Sequence, residues 1–245
     1  MPKFFVKSNQ IEEDKIKIIG EDVNHIINVL RMKKDDEIQI CNSDDGKNYL
    51  SYITEFDREH ISCKIKEIVN ESNESNVDIT LFQGIPKFDK MELIIQKNTE
   101  IGVKSIIPVE MKRCIAKVKD NKKIERWNKI AQIAAKQSLR DIIPNVDNPI
   151  KLEKLCEKFK EYDLILVAYE KELDNSLKGE LKNLDKKQNP KIGILIGPEG
   201  GIDNSEIEHL KTYNNVKLIT LGKRILRTET AGLVLASNII YELEL

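Results

Sequence analysis

The sequence lacks the patterns of a membrane or secreted protein. No stretch of its 245 residues approaches the roughly 18 consecutive apolar residues of a membrane-spanning helix. The N-terminal stretch 1–7, MPKFFVK, becomes polar too early for a signal peptide. With 40% hydrophobic and 33% charged residues, the composition is that of a globular chain with a charge-rich surface. We therefore expect a cytoplasmic protein with no membrane partner.

Clustered metal ligands are also absent from the sequence. The four cysteines, Cys41, Cys63, Cys114 and Cys156, form no Cys-x-x-Cys pair, and the three histidines are scattered. Structural zinc needs ligands that are grouped closely along the chain. We therefore expect no metal site and interpret the cysteines as reduced packing residues.

The chain as a whole has little net charge, −1 at pH 7. The stretch 82–140 differs, because it carries 14 Lys and Arg residues against 6 Asp and Glu residues. Such a stretch is typical of a solvated surface, and it is also typical of a surface that faces phosphates. Composition leaves both interpretations open.

The first seventy residues are patterned mostly as short strands. Residues 37–41 and 49–56 alternate apolar and polar side chains around the turn-forming sequence NSDDGKN, which predicts a hairpin. Residues 61–66 alternate in the same way. Several short strands in so few residues favour a small β-barrel over 1–70. A short helix is also predicted over 22–31, with an apolar face formed by Val23, Ile26, Ile27 and Leu30.

After a polar linker at 71–76, predicted strands alternate with predicted helices. This alternation is typical of an α/β domain with a parallel sheet, so a second domain is expected over 77–245. The predicted strands are 77–83, 105–109, 163–168, 192–196 and 216–221. The predicted helices are 89–101, 124–139, 205–213 and 230–243, with Gly102 ending the first and Asp203 capping the third.

Ligands bind beyond the carboxyl ends of parallel strands, and three loops stand out there. They are VAYE at 167–170, IGPEGG at 196–201 and LGKRILRTETA at 221–231. Neither glycine-containing loop has the G-x-G-x-x-G spacing of a dinucleotide site or the G-x-x-x-x-G-K-[ST] spacing of a P-loop. Taken alone, IGPEGG is equally compatible with a plain structural turn.

Taken together, the last two loops resemble those of a known family. LIGPEGGIDNSE at 195–206, followed by LGKRILRTETA at 221–231, resembles the SPOUT class of RNA methyltransferases. Within that class the match is to the RsmE family, which methylates N3 of a uridine in 16S ribosomal RNA. HIINVLRMKKDDEI at 25–38, KFDKMELIIQKNTEIGVKSIIPV at 87–109 and RWNKIAQIAAKQSLR at 126–140 are similar to the family's earlier motifs.

Two positions depart from the family's pattern. Phe88 stands where glycine is expected, and Lys223 stands where proline is frequent. Neither departure removes a side chain to which chemistry is assigned, but both affect the expected shape of their loops.

The resemblance implies a fold that the residue pattern alone does not give. The C-terminal α/β domain would carry a deep trefoil knot in its parallel sheet, an exception to the rule against threaded chains. The two last loops would form a pocket for S-adenosylmethionine inside that knot. The N-terminal barrel would be a PUA-like RNA-binding domain, and the protein would be a homodimer.

The resemblance assigns the cofactor to the backbone and apolar side chains of these two loops. Glycines let a ligand approach the backbone closely, and the apolar side chains would form walls around the adenine. For Glu199 a cofactor contact and a plain turn acid remain open. The residues expected to bind S-adenosylmethionine are Leu195, Ile196, Gly197, Glu199, Gly200, Gly201, Leu221, Gly222, Ile225, Leu226 and Thr230.

Two residues of the sequence RTET are expected to act on the substrate. N3 of uridine carries a proton, and it becomes a nucleophile when a base removes that proton or a cation stabilises charge on O2 and O4. Arg227 would hold the uracil carbonyls or a phosphate, and Glu229 would accept the proton or orient Arg227. In the alternative interpretation, the same residues only begin the last helix: Thr228 caps its N-terminus, and Glu229 complements the positive end of the helix dipole.

The expected partner is 16S ribosomal RNA in the small ribosomal subunit, whose phosphates basic side chains would contact. Three rival functions remain: a SPOUT methyltransferase for another ribosomal or transfer RNA site, a non-catalytic RNA-binding assembly factor, and a nucleotide-binding metabolic enzyme. The residues expected to contact RNA are Arg31, Lys33, Lys34, Arg113, Lys136, Arg140 and Arg224.

Overall fold

The computed structural model describes residues 2–57, 59–118, 120–182, 184 and 188–244. The chain divides into two compact units. The first contains the chain up to Glu74 together with Ala135–Ile143, and the second contains Ser75–Ala134 and the chain from Pro144 onward. The first unit is therefore discontinuous along the chain, which the sequence pattern does not indicate.

The first unit is built on one sheet. Its strands are β1 (Lys3–Val6), β2 (Ile11–Glu12), β3 (Lys15–Ile19), β4 (Glu37–Asn42), β5 (Asn48–Phe56) and β6 (His60–Val69). Their order is β1-β4-β5-β6-β3-β2, and each neighbouring pair is antiparallel except β1 and β4. The predicted hairpin is confirmed as β4 and β5, and the strand predicted at 61–66 lies within β6.

Alternating side chains on these strands fill the core of the first unit. On β3, Ile16 and Ile18 are buried while the residues between and beside them are exposed, as a half-buried strand requires. The helix predicted at 22–31 is only partly formed, because α1 (Glu21–Asn24) continues into a single π-turn at His25–Val29. Val23 and Ile26 are buried. Leu30 was expected on the same face but is 39% exposed, since it follows the wider turn.

Two buried ion pairs attach Ala135–Ile143 to the rest of the first unit. The ammonium group of Lys3, whose side chain is fully buried, pairs with the carboxylate of Asp141. The Arg140 guanidinium lies 2.6 Å from the Glu74 carboxylate, and both side chains are more than 90% buried. Charges of opposite sign compensate each other here in a part of the protein that excludes water.

The predicted linker is held to Asp141 by hydrogen bonds. The Ser72 hydroxyl and the Asn73 backbone N–H donate to its carboxylate at 3.0 and 2.7 Å. Burial by itself raises the pKa of Asp141, but hydrogen bonds from Lys3, Asn73 and Asn48 outweigh that effect and hold the pKa below its ordinary value. The carboxylate therefore stays ionised at neutral pH.

The second unit contains a parallel sheet with helices between its strands. The strands are β7 (Asp78–Gly84), β8 (Ser105–Glu110), β9 (Asn145–Val146), β10 (Ile150–Lys151), β11 (Leu164–Ala168), β12 (Lys191–Ile196) and β13 (Val216–Ile219). The helices are α2 (Lys90–Ile101), α3 (Asn121–Gln137), α4 (Leu152–Cys156), α5 (Leu177–Leu181), α6 (Asn204–Leu210) and α7 (Thr228–Glu244). The strand order is β10-β8-β7-β12-β11-β13 with β9 beside β8, and each pair is parallel. The predicted α/β architecture is confirmed.

The long helices lie where the sequence predicts them. Gly102 ends α2 with a φ of 115°, which a glycine adopts without steric cost. Asp203 caps α6 and forms a capping box with Glu206. Within the described residues, no helix has the length and apolar character needed to cross a bilayer.

Four neighbouring strands of the second unit end at the same edge of the sheet. They are β7, β12, β11 and β13, which run side by side in one direction. Buried apolar residues on both faces of these strands fix the sheet between its helices. The loops after the four strands are thereby brought together, as expected for a binding site in a parallel sheet.

We predict that Asp141→Asn destabilises the protein by about 3–5 kcal/mol, because it leaves the Lys3 ammonium buried without a compensating charge. Urea unfolding at pH 7, followed by circular dichroism, measures this loss. The difference from the unsubstituted protein should shrink as the pH falls through the lowered pKa of Asp141, since protonation removes the same charge.

Glu37→Gln is the matched control for this substitution. It removes one carboxylate from the Glu37–Lys66 pair, whose side chains are 47% and 53% exposed. Exposed pairs of this kind contribute less than about 1 kcal/mol. If Asp141→Asn and Glu37→Gln lowered the free energy of unfolding equally, the buried Lys3–Asp141 pair would contribute no more to stability than an exposed pair.

Candidate active site

A cavity of about 550 Å³ lies at the edge of the sheet where the four strands end. Its walls come from the residues that follow β11, β12 and β13, from Lys90 at the start of α2, and from the start of α7. The wall segments are 168–170, 172–173, 196–202 and 220–228, together with Lys90 and Ala231. A cavity of this size accommodates a ligand as large as a nucleoside derivative.

Most of the predicted cofactor residues line this cavity. Leu195 does not, because side chains alternate across a strand and that of Leu195 packs in the core on the other face from Ile194 and Ile196. Thr230 also lies outside the lining, in the first turn of α7, where its N–H donates to the Arg227 carbonyl. The predicted residues that do line it are Ile196, Gly197, Glu199, Gly200, Gly201, Leu221, Gly222, Ile225 and Leu226.

A buried hydroxyl joins the two glycine-containing loops. The Thr228 hydroxyl donates to the Gly197 carbonyl at 2.7 Å and accepts a hydrogen bond from the Gln83 side-chain amide at 2.8 Å. Gln83 is fully buried and Thr228 is 6% exposed. In the alternative given above, Thr228 caps the last helix; in the structure Thr228 is the first residue of α7, and its hydroxyl donates to the neighbouring loop instead.

The backbone after β7 passes very close to the loop after β12. A Cβ atom added to Gly84 would lie only 2.7 Å from Cδ of Pro198, so no larger residue fits there. Gly222 is required for a different reason, since its φ of 100° is rarely adopted by other residues. The sequence indicated the close approach of the two last loops, but it gave no sign that Gly84 takes part.

The carboxylate of Glu199 links the IGPEGG loop to the start of α2. It accepts the backbone N–H of Lys87 at 3.1 Å and lies 3.1 Å from the Lys90 ammonium. Burial raises the pKa of Glu199, but these hydrogen bonds and the Lys90 charge outweigh it and leave the pKa below its ordinary value. Glu199 is therefore an ionised structural link at the wall of the cavity.

Lys90 also contacts Glu229, one of the two predicted catalytic residues. Its ammonium lies 3.3 Å from Oε2 of Glu229, and the hydrogen bonds to Glu199 and Glu229 raise the pKa of Lys90. Glu229 is mostly buried, with 14% of its side chain exposed, and its other oxygen is 3.8 Å from the Arg227 guanidinium. The Arg227 side chain is 82% exposed and lines the cavity. Nothing in the sequence singles out Lys90, because it lies more than 130 residues before Glu229.

The cavity has walls of opposite charge. Glu170 and Glu172 lie on one side, after β11, and Lys223, Arg224 and Arg227 lie in the loop after β13. The Glu172 carboxylate accepts N–H groups of the following turn, chiefly that of Asn175, which lowers its pKa. Within the described residues, no group of three His, Cys, Asp or Glu side chains is placed to hold a metal ion.

The residues predicted to contact RNA have different surroundings in the structure. Arg31, Lys33 and Lys34 are exposed on the first unit, and Arg224 is exposed at the cavity. In the second unit, Arg113 donates to the Gly200 carbonyl at 3.0 Å and is 40% exposed, so it supports the loop as well as facing solvent.

Two residues of the predicted RNA-binding set are engaged inside the first unit. Arg140 is 3% exposed and pairs with Glu74, so its guanidinium is not available to a phosphate. Lys136 lies 2.6 Å from Asp22 and 5.8 Å from the centre of the Phe4 ring. The sequence places both among other basic residues, but it cannot show that each has an acidic partner far away along the chain.

Comparison with known proteins gives the class of the molecule. The chain matches the family model of an RNA methyltransferase domain over residues 73–240 and that of an RNA methyltransferase PUA domain over residues 18–66. A Bacillus subtilis protein named ribosomal RNA small subunit methyltransferase E is 38% identical over all of this chain and 98% of its own length.

Two solved structures share the fold over nearly their whole length. One is a ribosomal RNA small subunit methyltransferase E from Neisseria gonorrhoeae bound to S-adenosylmethionine. It is 30% identical, has a TM-score of 0.84, and the match covers 97% of this chain and 96% of that one. A Legionella pneumophila protein in complex with the same cofactor is 27% identical, with a TM-score of 0.82 and the same coverage. The chain belongs to the ribosomal RNA small subunit methyltransferase E family, and the predicted resemblance is confirmed.

We predict that Thr228→Val lowers the free energy of unfolding of the second unit by about 1–3 kcal/mol, since it leaves buried polar groups of Gln83 and Gly197 without their partner. Unfolding in urea can be followed by the fluorescence of Trp127, the single tryptophan, which is buried in this unit.

Thr212→Val provides the comparison for Thr228→Val. The Thr212 hydroxyl also donates to a carbonyl, that of His209 at 2.7 Å, but Thr212 is exposed, so water can replace its contacts. We expect a loss below about 0.5 kcal/mol for such a surface change. Similar losses in both variants would contradict the special role given to Thr228.

Proposed function

We propose that the protein transfers the methyl group of S-adenosylmethionine to N3 of a uridine in 16S ribosomal RNA. The observation that carries the proposal is the cavity between the loops 196–202 and 220–228, in a chain that belongs to this methyltransferase family. The same kind of cofactor is present in the Neisseria and Legionella structures that match this chain.

The residues around the cavity fit S-adenosylmethionine. Ile196, Leu221 and Leu226 offer apolar side chains for the adenine, and the glycines leave backbone groups within reach of the ribose. The walls of opposite charge suit a ligand that carries both ammonium and carboxylate groups. When bound, the cofactor supplies a methyl group that is activated by its positive sulfonium.

Glu229 and Arg227 are placed to act on the uracil. Glu229 is mostly buried, and its carboxylate lies 3.3 Å from the Lys90 ammonium at the edge of the cavity, where it can accept the N3 proton. Arg227 projects into solvent at the cavity, where its guanidinium can stabilise negative charge on the uracil carbonyls. Their distance of 3.8 Å lets Glu229 also orient Arg227.

The first unit is proposed to hold the RNA. Its match to the PUA model and its exposed Arg31, Lys33 and Lys34 support this role, because phosphate contacts of basic residues supply affinity without reading sequence. A ribosomal RNA substrate also favours a cytoplasmic location and the small subunit as partner. The knot and the homodimer that the family resemblance implies belong to the same proposal.

We predict that Arg227→Ala abolishes methylation of 16S RNA while the dissociation constant for S-adenosylmethionine changes less than about threefold. Mass spectrometry of the RNA after incubation measures the first quantity, and calorimetric titration measures the second. Methylation is expected to be lost and cofactor binding to survive because the exposed guanidinium is proposed to contact the uracil and not the cofactor.

Arg126→Ala is the control for Arg227→Ala. Arg126 lies on α3, is also largely exposed (67%) and also pairs with a glutamate, Glu92 on α2, but it does not line the cavity. It should leave both quantities unchanged. Normal methylation by Arg227→Ala would remove Arg227 from the reaction. If the unsubstituted protein bound no S-adenosylmethionine, a non-catalytic assembly factor would be favoured instead.

We also predict that the double variant Lys33→Gln, Lys34→Gln weakens RNA binding and lowers its salt dependence. Each lost phosphate contact should reduce the slope of log K against log salt by about 0.7–0.9. Lys64→Gln with Lys66→Gln is the control on the same unit, because these lysines are already paired with Asp14 and Glu37. An unchanged slope in the first variant would show that Lys33 and Lys34 form a solvated surface.

A further inference from the structure

Phe88 adopts a conformation that is unusual for an aromatic residue. Its φ is 55°, in the left-handed region where glycine is favoured and a bulky side chain is strained. The ring is also 81% exposed, so no core packing compensates for the strain. An exposed ring held in an unfavourable conformation is a candidate for a contact with a ligand.

The segment that carries Phe88 is held at the wall of the cavity. On one side, the N–H of Lys87 donates to Glu199, and on the other, the ammonium of Lys90 contacts both Glu199 and Glu229. Because consecutive Cα atoms are about 3.8 Å apart, the Cα of Phe88 lies within about 8 Å of that of Lys90. Phe88 therefore lies next to a residue that lines the cavity and contacts the proposed catalytic carboxylate.

Phe88 is one of three exposed apolar side chains around the cavity. Leu173 and Ile225 line it and are 80% and 84% exposed. Among the described residues these three are the most exposed large hydrophobic side chains. Exposed apolar side chains in and beside a cavity are typical of a surface that a binding partner covers.

We propose that Phe88 is a stacking platform for an unpaired base of the RNA substrate at the entrance to the cavity. This inference rests on the proposed function. A uridine must leave its helical stack before its N3 can face the cavity, and an aromatic ring at the rim can stack on the displaced base or on its neighbour. Every base offers a π-face, so the contact needs no particular sequence.

The charges of the cavity favour RNA over an apolar protein surface. Arg227 is 82% exposed, and Arg224 is exposed in the same loop. A covering protein surface would have to desolvate both guanidinium groups, whereas a nucleotide offers phosphate to the cations and a base to the ring. The ring and the two arginines thus match the two chemical parts of one nucleotide.

The test compares Phe88→Gly, Phe88→Leu and Phe88→Tyr with the unsubstituted protein. Phe88→Gly should raise the melting temperature, because glycine tolerates this φ, and it should leave the dissociation constant for S-adenosylmethionine within about twofold. Its kcat/KM for 16S RNA should nevertheless fall by about 5- to 150-fold, the range for loss of one stacked base. Phe88→Leu should lose as much, and Phe88→Tyr should retain activity.

Two further measurements separate stacking from a structural effect. Leu139→Gly replaces another exposed apolar residue with positive φ, in the first unit, and should gain stability without losing activity. Phe88→Trp should remain active, and its fluorescence should be quenched when RNA is added. The change can be assigned to position 88 because the native Trp127 is fully buried.

The proposal is overturned if Phe88→Gly and the unsubstituted protein have the same kcat/KM and the same dissociation constant for 16S RNA. It is also overturned if Phe88→Gly converts a dimer to a monomer in analytical ultracentrifugation, because the ring would then be covered by a second copy of the chain. If the unsubstituted protein fails to methylate the RNA, the proposed function fails, and the RNA dissociation constants alone decide on Phe88.

Discussion

The Thr228 hydroxyl and its two partners are the constraint on which the site depends. One short hydrogen-bonded chain joins Gln83 at the end of β7, Thr228 at the start of α7 and Gly197 after β12. A buried hydroxyl can satisfy a donor and an acceptor at once, which no apolar side chain of similar volume can do. The loop after β12 and the start of α7 are therefore both fixed to the end of β7 at the Thr228 hydroxyl.

A second constraint is the shared cation at the opening of the cavity. Glu199 lies in the loop after β12 and Glu229 in the first turn of α7, and without Lys90 their carboxylates would repel each other. The ammonium lets an acidic residue that supports the loop and an acidic residue proposed for catalysis lie side by side. Glu229 thus has two cations within 4 Å, the mostly buried Lys90 ammonium on one oxygen and the exposed Arg227 guanidinium on the other.

The sequence predicts the elements of the fold well because they depend on local periodicity. The strands and long helices of the second unit follow from alternating or helical spacing of apolar residues, and the capping box at Asp203 is visible in four letters. It predicts less of the site, because the contacts there join residues far apart. Leu195 was expected to bind the cofactor, but its side chain packs in the core, and family motifs do not show side-chain direction. Gln83 and Lys90 have no signal in the residues around them. Arg140 was expected to contact RNA. Its burial could not be foreseen, because its partner, Glu74, lies 66 residues earlier in the chain.

The discontinuity of the first unit has a consequence for the order in which the chain can fold during synthesis. Lys3 and Glu74 lie in the part of the first unit that ends at Glu74, but their partners Asp141 and Arg140 are translated 138 and 66 residues after them. Until then Lys3 cannot be buried without an uncompensated charge, so the emerging β-sheet cannot reach its final packing. The first unit should thus reach its final structure only when Ala135–Ile143 has left the ribosome. By then Ser75–Ala134, which belongs to the second unit, has already been translated.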